Sequence, residues 1–475
     1  MKFHAVLCCL ALILSSPSSA QQQPGEPAQV LVTDTGTLDP GAVRNTVGLQ
    51  RHRHTIVLDT AERTYALRYL VALDPNNPQA AIPYEGYIGM PQPANQNWYA
   101  GGFFELRING LNVGTTLIHS LSGRSFGDRG IADFVFDTTQ AVVRIRFVAL
   151  AGGDCLYAQA LLEPKQEITS VNVMTRCYPS GYITDSDRHV RTATRDFAQG
   201  ERAELNVTNE WWTLYYDAVY DAGYFGQGPF GTVRRGGGPC AMLWLPSQTQ
   251  SVTSIVGSYA INTGLYLKPT LRDYRFVFFD YTGKKNEAAN SDLHARGQTL
   301  LKELSTFSFN DLSLANWPLQ KKQSEIRQVL ASVPEDKVST AQYERWSREL
   351  AAQLKLASSG SAGAIIAEAD AAGTIRRWER GLRVLELAEA AFTEVRKLLA
   401  DLKAQWRQEK EAGLAEALKR RLDEFREKLA GLKKQSKGKL DAASWTRVDV
   451  EVQALIGQLR KTIAEAGLAA LLKEI

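Results

Sequence analysis

Cysteine is scarce in this chain, and so is every signature from which catalysis is usually read. Of five cysteines in 475 residues, Cys8 and Cys9 fall in the apolar N-terminal run, which leaves Cys155, Cys177 and Cys240. Three is odd, so at most one intramolecular disulfide can form. None of them lies in a Cys-x-x-Cys, which removes the common zinc and redox motifs. Cys155 and Cys177 are the nearest pair and are expected to bond, with Cys240 left as a buried thiol ahead of Ala241-Met242-Leu243-Trp244. HExxH and a phosphate loop are absent. The glycines at 236–238 run into Pro239 and then a strand, so they open no helix that could hold phosphate. No cofactor and no metal is expected. Two carboxylates a few ångströms apart are enough for a glycosidase, and no sequence spacing reports that, so an enzyme stays open.

Charge of one sign is also lacking. The net charge is +4, and the excess sits in residues 301–475, with 30 Lys+Arg against 25 Asp+Glu. That is too little to argue for a nucleic-acid partner, and mixed signs along helices usually mark a solvated face.

Long apolar runs are missing except for one. The chain opens MKFHAVLCCLALILSSPSSA, with Lys2 ahead of an apolar stretch at Ala5–Leu14 and small residues at Ser18-Ser19-Ala20. This reads as a secretory signal peptide over 1–20, cleaved after Ala20, and implies a secreted or periplasmic protein. The run is too short to span a bilayer, so no membrane span is expected in the mature chain. Residues 21–28, QQQPGEPA, read as a disordered leader.

Past residue 300, tyrosine and proline nearly vanish: only Tyr343, Pro318 and Pro334 remain. Two architectures are therefore joined, an all-β region and an all-α one. Over 29–165, short alternating runs are separated by turn residues. Phe103 to Ile108 alternates and is followed by Asn109-Gly110, a strong hairpin signal, because both central residues of a type I′ turn need positive φ. The stretch Val142–Leu150 (VVRIRFVAL) puts Arg144 and Arg146 on one side and Val143, Ile145 and Phe147 on the other, the pattern of a half-buried strand. A second β-rich block runs over 166–304, with Pro164 as a seam; it is either a second domain or the second half of a large sandwich. The expected scaffold is an antiparallel β-sandwich, jelly-roll or larger. The strand ending in Asn109-Gly110 resembles a turn common in jelly-roll carbohydrate-associated modules, and the resemblance implies no more than a fold.

From 319 to 475 the chain reads as an antiparallel helical bundle or coiled-coil hairpin. Trp378, Leu385, Phe392, Leu399 and Trp406 recur every seven residues, with Ala388, Val395 and Leu402 three positions on. Tryptophans in such a seam fit best where three or more helices meet. The seam is therefore expected to pack on Leu418, Leu422, Phe425, Leu429 and Leu432 and on Val448, Val452, Leu455 and Leu459. Left uncovered, it would be a surface for self-association or a protein partner. Ser339-Thr340-Ala341-Gln342 has capping-box spacing.

Chemistry has few places to sit. The stretch NEWWTLYYDAVYDAGYFGQGPFG, 209–231, is the densest in aromatics. Aromatic rings stack on the apolar faces of sugars, so Trp211, Tyr215, Tyr224, Phe225, Arg234 and Arg235 are the candidate ligand contacts. The competing reading is that these rings fill a sheet core, where aromatics are enriched. If the protein is catalytic, Asp217 or Asp221 would supply one carboxylate and Asp185 or Asp187 its partner. Asp185, Asp187 and His189 alternate, so an extended chain sets them on one side. His52 and His54 open a strand with no third ligand in view. Two functions follow: an exported protein that binds or processes a glycan, or a non-catalytic envelope or extracellular scaffold that uses its helices for protein contact.

Overall fold

The computed structural model describes residues 30–42, 49–74, 77–92, 98, 102–179, 186–219, 221, 237–332, 337–409, 412–436 and 442–471. The signal peptide 1–20 and the leader 21–28 lie outside the described residues.

Two antiparallel sheets come first in the chain, and helices follow. Sheet I has the order β1 (Leu31–Ala42), β2 (Gln50–Asp59), β3 (Thr64–Asp74), β4 (Asn77–Gln92), β5 (Phe104–Ile108), β11 (Val171–Cys177), β18 (Ile261–Leu267), β17 (Thr249–Val256), β14 (Arg202–Leu205), with β6 (Leu111–Asn112) paired to β5. Sheet II runs β13 (Asp196–Phe197), β12 (Arg188–Arg191), β15 (Trp212–Asp217), β16 (Cys240–Trp244), β19 (Asp273–Asp280), β10 (Cys155–Pro164), β9 (Ala141–Leu150), β8 (Arg129–Asp137), β7 (Ile118–Phe126). Each sheet takes strands from both sides of Pro164: β5 pairs with β11 in sheet I, and β10 pairs with β19 in sheet II.

Local chemistry sets the turns. The β5–β6 hairpin closes with Asn109 at φ 51° and Gly110 at φ 81°, the two positive values a type I′ turn requires. The β7–β8 hairpin turns at Gly127, φ 58°, with Phe126 opposite Arg129.

The sheets meet through their aromatic inner faces. Trp98, wholly buried, stands edge-on to Phe278 at 5.4 Å and to Tyr215 at 5.9 Å. Phe103 and Phe104 of the sheet I side meet Phe147, Phe276 and Phe278 of sheet II. Offset and edge-on ring contacts of this kind add to the stabilisation from burial.

The helices are α1 (Asn286–Thr306), α2 (Leu312–Ala315), α3 (Leu319–Ser332), α4 (Lys337–Ala357), α5 (Ala364–Gln408), α6 (Ala412–Ser436) and α7 (Ala442–Leu471). Helix α1 corrects the expectation of β structure up to residue 304. Its buried residues Ala289, Leu293, Gly297, Leu300 and Leu304 follow helical spacing and face sheet II. Gly297 lies close under the indole of Trp211: a Cβ there would be 3.2 Å from the ring, a tight contact. Ser339 is a residue of α4 and not its cap, because the helix starts at Lys337.

The heptad series divides between two partners. Phe392, Val395, Leu399 and Leu402 of α5 share one core with Leu418, Leu422, Phe425, Leu429 and Leu432 of α6 and with Val452, Leu455 and Leu459 of α7. Trp378 belongs to a different cluster, with Tyr343, Trp346 and Leu350 of α4 and Ile326 of α3. Helix α5 is long enough to serve both. At its N-terminal end, Ile365 and Ala369 also pack on Val135 and Val142, on the outer face of sheet II.

Candidate functional site

The described start of the aromatic stretch, Glu210 to Asp217, belongs to the core. Trp211 is 7% exposed and packs on α1, and Tyr215 is fully buried, its hydroxyl 2.9 Å from Thr263 Oγ1 across the gap between the sheets. Neither ring is open to a ligand in this structure. Strand β15 is buried along its whole length because sheet I covers one face and α1 the other. Tyr224, Phe225, Arg234 and Arg235 lie outside the described residues, as does Asp185.

The weak carboxylate candidates are brought together in part. Asp217 is buried; its carbonyl accepts the Asn286 side-chain amide at 2.8 Å, and its Oδ1 accepts the Val219 amide at 3.0 Å. Asp221 accepts the Asn286 backbone amide at 2.6 Å. Asp217, through its backbone carbonyl, and Asp221, through its carboxylate, therefore both hold the first residue of α1. Asp187 is half exposed, with its carboxylate 3.4 Å from His189 Nε2. Among the described residues, no group of three or more His, Cys, Asp and Glu is placed to hold a metal ion, and no helix is long and apolar enough to cross a membrane.

The expected Cys155–Cys177 disulfide is not formed in this structure, where all three cysteines are buried thiols. Strand alternation explains it. Cys155 pairs with Phe279 in register, on the helix-covered face of sheet II, and its neighbour Tyr157 stacks on Phe307 at 4.0 Å. Cys177 lies in sheet I and faces the space between the sheets, so sheet II stands between the two sulfurs.

Sequence reasoning missed the most heavily charged interior of the molecule. Arg146 is fully buried on the outer face of β9. It donates to both oxygens of Asp133, at 2.6 and 2.7 Å, to the Phe309 carbonyl at 2.6 Å and to Glu368 of α5 at 2.9 Å. Arg144 pairs with Glu368 and donates to Gln159 at 2.9 Å. Arg124 of β7 donates to Asp133 at 2.5 Å and pairs with Asp311, which caps α2. Three guanidinium groups meet three carboxylates. Burial alone would raise the Asp133 pKa, but Arg146 and Arg124 outweigh it and hold the carboxyl far below the usual range. Burial, together with the like charge of Arg146, lowers Arg144 from its ordinary value.

Arg124 of this network also lines a cleft of about 500 Å³ between β7 and helices α2, α3 and α5. Arg124, Phe126, Trp317, Lys322, Arg376 and Glu379 line it. Trp317 sits in the link between α2 and α3, where its amide donates to the Leu314 carbonyl at 3.2 Å and its own carbonyl accepts from Leu319 at 2.8 Å. Its ring stands edge-on to Trp378 at 5.4 Å, and its indole N–H reaches Glu379 at 3.5 Å. Arg376 donates to the Leu121 carbonyl at 2.9 Å and so stays at the β7 wall. Phe126 is 40% exposed. Two partly open rings with a carboxylate and three cations make a cleft suited to a polar ligand that has apolar faces. The sequence signal was thin: a single Trp317-Pro318 in a helix link, and a β7 arginine with no motif around it.

No family model and no curated protein matches the chain. Among solved structures, it is similar to the galactosidase domain of alpha-galactosidase-sucrose kinase, AgaSK, at 9% identity and TM-score 0.29, over 48% of this chain and 41% of that one. It is similar also to the alpha-galactosidase from Lactobacillus brevis, at 10% identity and TM-score 0.30, over 51% of this chain and 42% of that one. The chain spans about two-fifths of the length of the solved structures it matches, and scores this low do not establish a shared fold.

Proposed function

We propose that this chain is an exported glycan-binding protein, and that a sugar unit is held in the cleft between β7 and the helices. The observation that carries the reading is Trp317. Its ring is half-buried and held by Trp378, and charged groups that can bond hydroxyls surround it: Glu379, Arg376 and Lys322. A fixed aromatic face takes the C–H side of a sugar ring, and the polar rim orients it. The signal-peptide pattern at 1–20 is the motive for export. On this reading residues 31–280 form one two-layer β-sandwich in place of two domains, and helices α2, α3 and α5 complete the binding wall. The scaffold alternative drew on an uncovered heptad seam. Among the described residues that seam is covered inside the chain, by α6 and α7 from Phe392 to Leu402 and by α3 and α4 at Trp378, so it no longer argues for a protein partner.

The test is a glycan array probed with the full chain, followed by titration of the best ligand. Trp317→Ala is expected to weaken binding by tenfold or more with the fold retained by circular dichroism. Absence of any bound glycan, or unchanged affinity in Trp317→Ala, overturns the proposal.

A further inference from the structure

Two of the three thiols lie at a seam between the sheets. Cys240 sits in β16, opposite Tyr215 on one side and Asp280 on the other. Phe276 and Phe278 of the same β19 face meet rings of the sheet I side, so Asp280, in step with them, and its partner Cys240 point into the space between the sheets. Cys177 ends β11 in sheet I, and the alternation of β11 turns it into the same space from the other side. Cys177 also bridges Trp98, whose ring lies 5.9 Å from that of Tyr215, the register partner of Cys240. The Cys177 side chain is among the near neighbours that act on the Cys240 thiol. Both are buried, with 1% and 0% exposure.

We propose that Cys177 and Cys240 are a disulfide-forming pair that ties β11 of sheet I to β16 of sheet II through the core, and that Cys155 remains a thiol. Facing sheets can be joined in this way, as the inter-sheet disulfide of antibody domains shows. The bond forms by exchange with a disulfide oxidant, either a small-molecule disulfide or an oxidoreductase. One thiolate attacks the oxidant and releases one thiol, and the second thiolate then attacks the mixed disulfide and releases the other. Two protein S–H bonds are thus exchanged for one S–S bond, and the oxidant leaves as two thiols. Burial pushes the Cys240 thiol well above its ordinary pKa, and the neighbouring Cys177 adds to it, so the folded pair reacts slowly. The exchange therefore belongs to folding, before the sheets close.

Trypsin separates the three cysteines, because Lys165, Arg176, Arg188 and Arg235 lie between them. The full chain is unfolded and reduced, refolded across a series of oxidised-to-reduced glutathione ratios, alkylated in denaturant and mapped. The expected product links the 177–188 peptide to the peptide holding Cys240, with Cys155 alkylated throughout. Cys155→Ser should keep the link, and Cys240→Ser should abolish it without creating another. Three alkylated cysteines at every ratio, or a link that includes Cys155 in the unmutated chain, overturns the proposal.

Discussion

The two sheets share one core and differ in what lies outside them. The outward face of sheet I meets solvent: Met174, Tyr266 and Ile255 are 36%, 46% and 51% exposed. Its strands β5, β11, β14 and β18 alternate between buried and open positions. Sheet II carries helices on its outward face, α1 over β15 and β19 and α5 over β8 and β9, so β9, β15, β16 and β19 are buried on nearly every residue. A polar residue on the outer side of sheet I needs only water. On sheet II it must find a partner or a hydrogen bond inside the protein, since an unpaired buried charge is costly. The Arg146–Asp133–Glu368 network is the result.

The largest effect expected from this difference comes from one arginine on each sheet. Arg146→Ala removes the buried partner of Asp133 and Glu368, and should cost about 3–5 kcal/mol. Arg107→Ala, at 46% side-chain exposure and paired only with Glu105 two residues away, should cost under about 0.5 kcal/mol. Urea unfolding of both variants measures the gap. Equal shifts in midpoint would mean that the helices do not bury the outer face of sheet II in solution.

The next effect is in pH. Glu210 is 1% exposed and ties the β12–β13 turn of sheet II to the end of β14 in sheet I. Burial would raise its pKa, but the guanidinium of Arg195, the Asn206 amide and the hydroxyls of Thr192 and Thr194 pull it down to about 2. A carboxyl whose pKa is depressed in the fold contributes stability that is complete above its ordinary value of 4.5 and is lost as pH falls through the folded value. Arg195 is 45% exposed, and solvent screening reduces the contribution to about 2 kcal/mol. Glu210→Gln should therefore flatten the fall in stability between about pH 4.5 and pH 2, with little change in slope above pH 6. An unchanged acid limb in the variant would show that Glu210 is not the group responsible.

The same contrast explains what could be read from the sequence. Where the outer face is bare, alternation reports burial faithfully: Phe104 to Ile108 and the turn at Asn109-Gly110 stand where their pattern puts them. The helix-to-helix core was legible for the same reason, because Phe392, Leu399, Leu418, Phe425 and Leu455 keep helical spacing over long segments. In VVRIRFVAL the side on which the arginines sit was legible, and its burial was not. The group that covers Arg146 is Glu368, 222 residues away, and no local pattern encodes that contact. Trp211 and Tyr215 misled in the same way, because α1 closes over β15 from a later stretch with little amphipathic signal. The cleft was invisible because its walls come from β7, the Trp317 link and α5, segments far apart in the chain.

The smallest expected effect tests the bare side of the comparison. Tyr266 lies on the outer face of β18 and is 46% exposed. If that face meets only water, Tyr266→Ser removes little buried apolar area and loses a residue favoured in strands, a cost of under about 1 kcal/mol. The thermal midpoint should move by only a degree or two, which differential scanning calorimetry of the full chain can resolve. A midpoint loss comparable with that of Arg146→Ala would show that the outer face of sheet I is covered in solution as that of sheet II is, and the asymmetry between the two sheets would disappear. A small loss, set beside the large one at Arg146, fixes the helices as the cause of the difference.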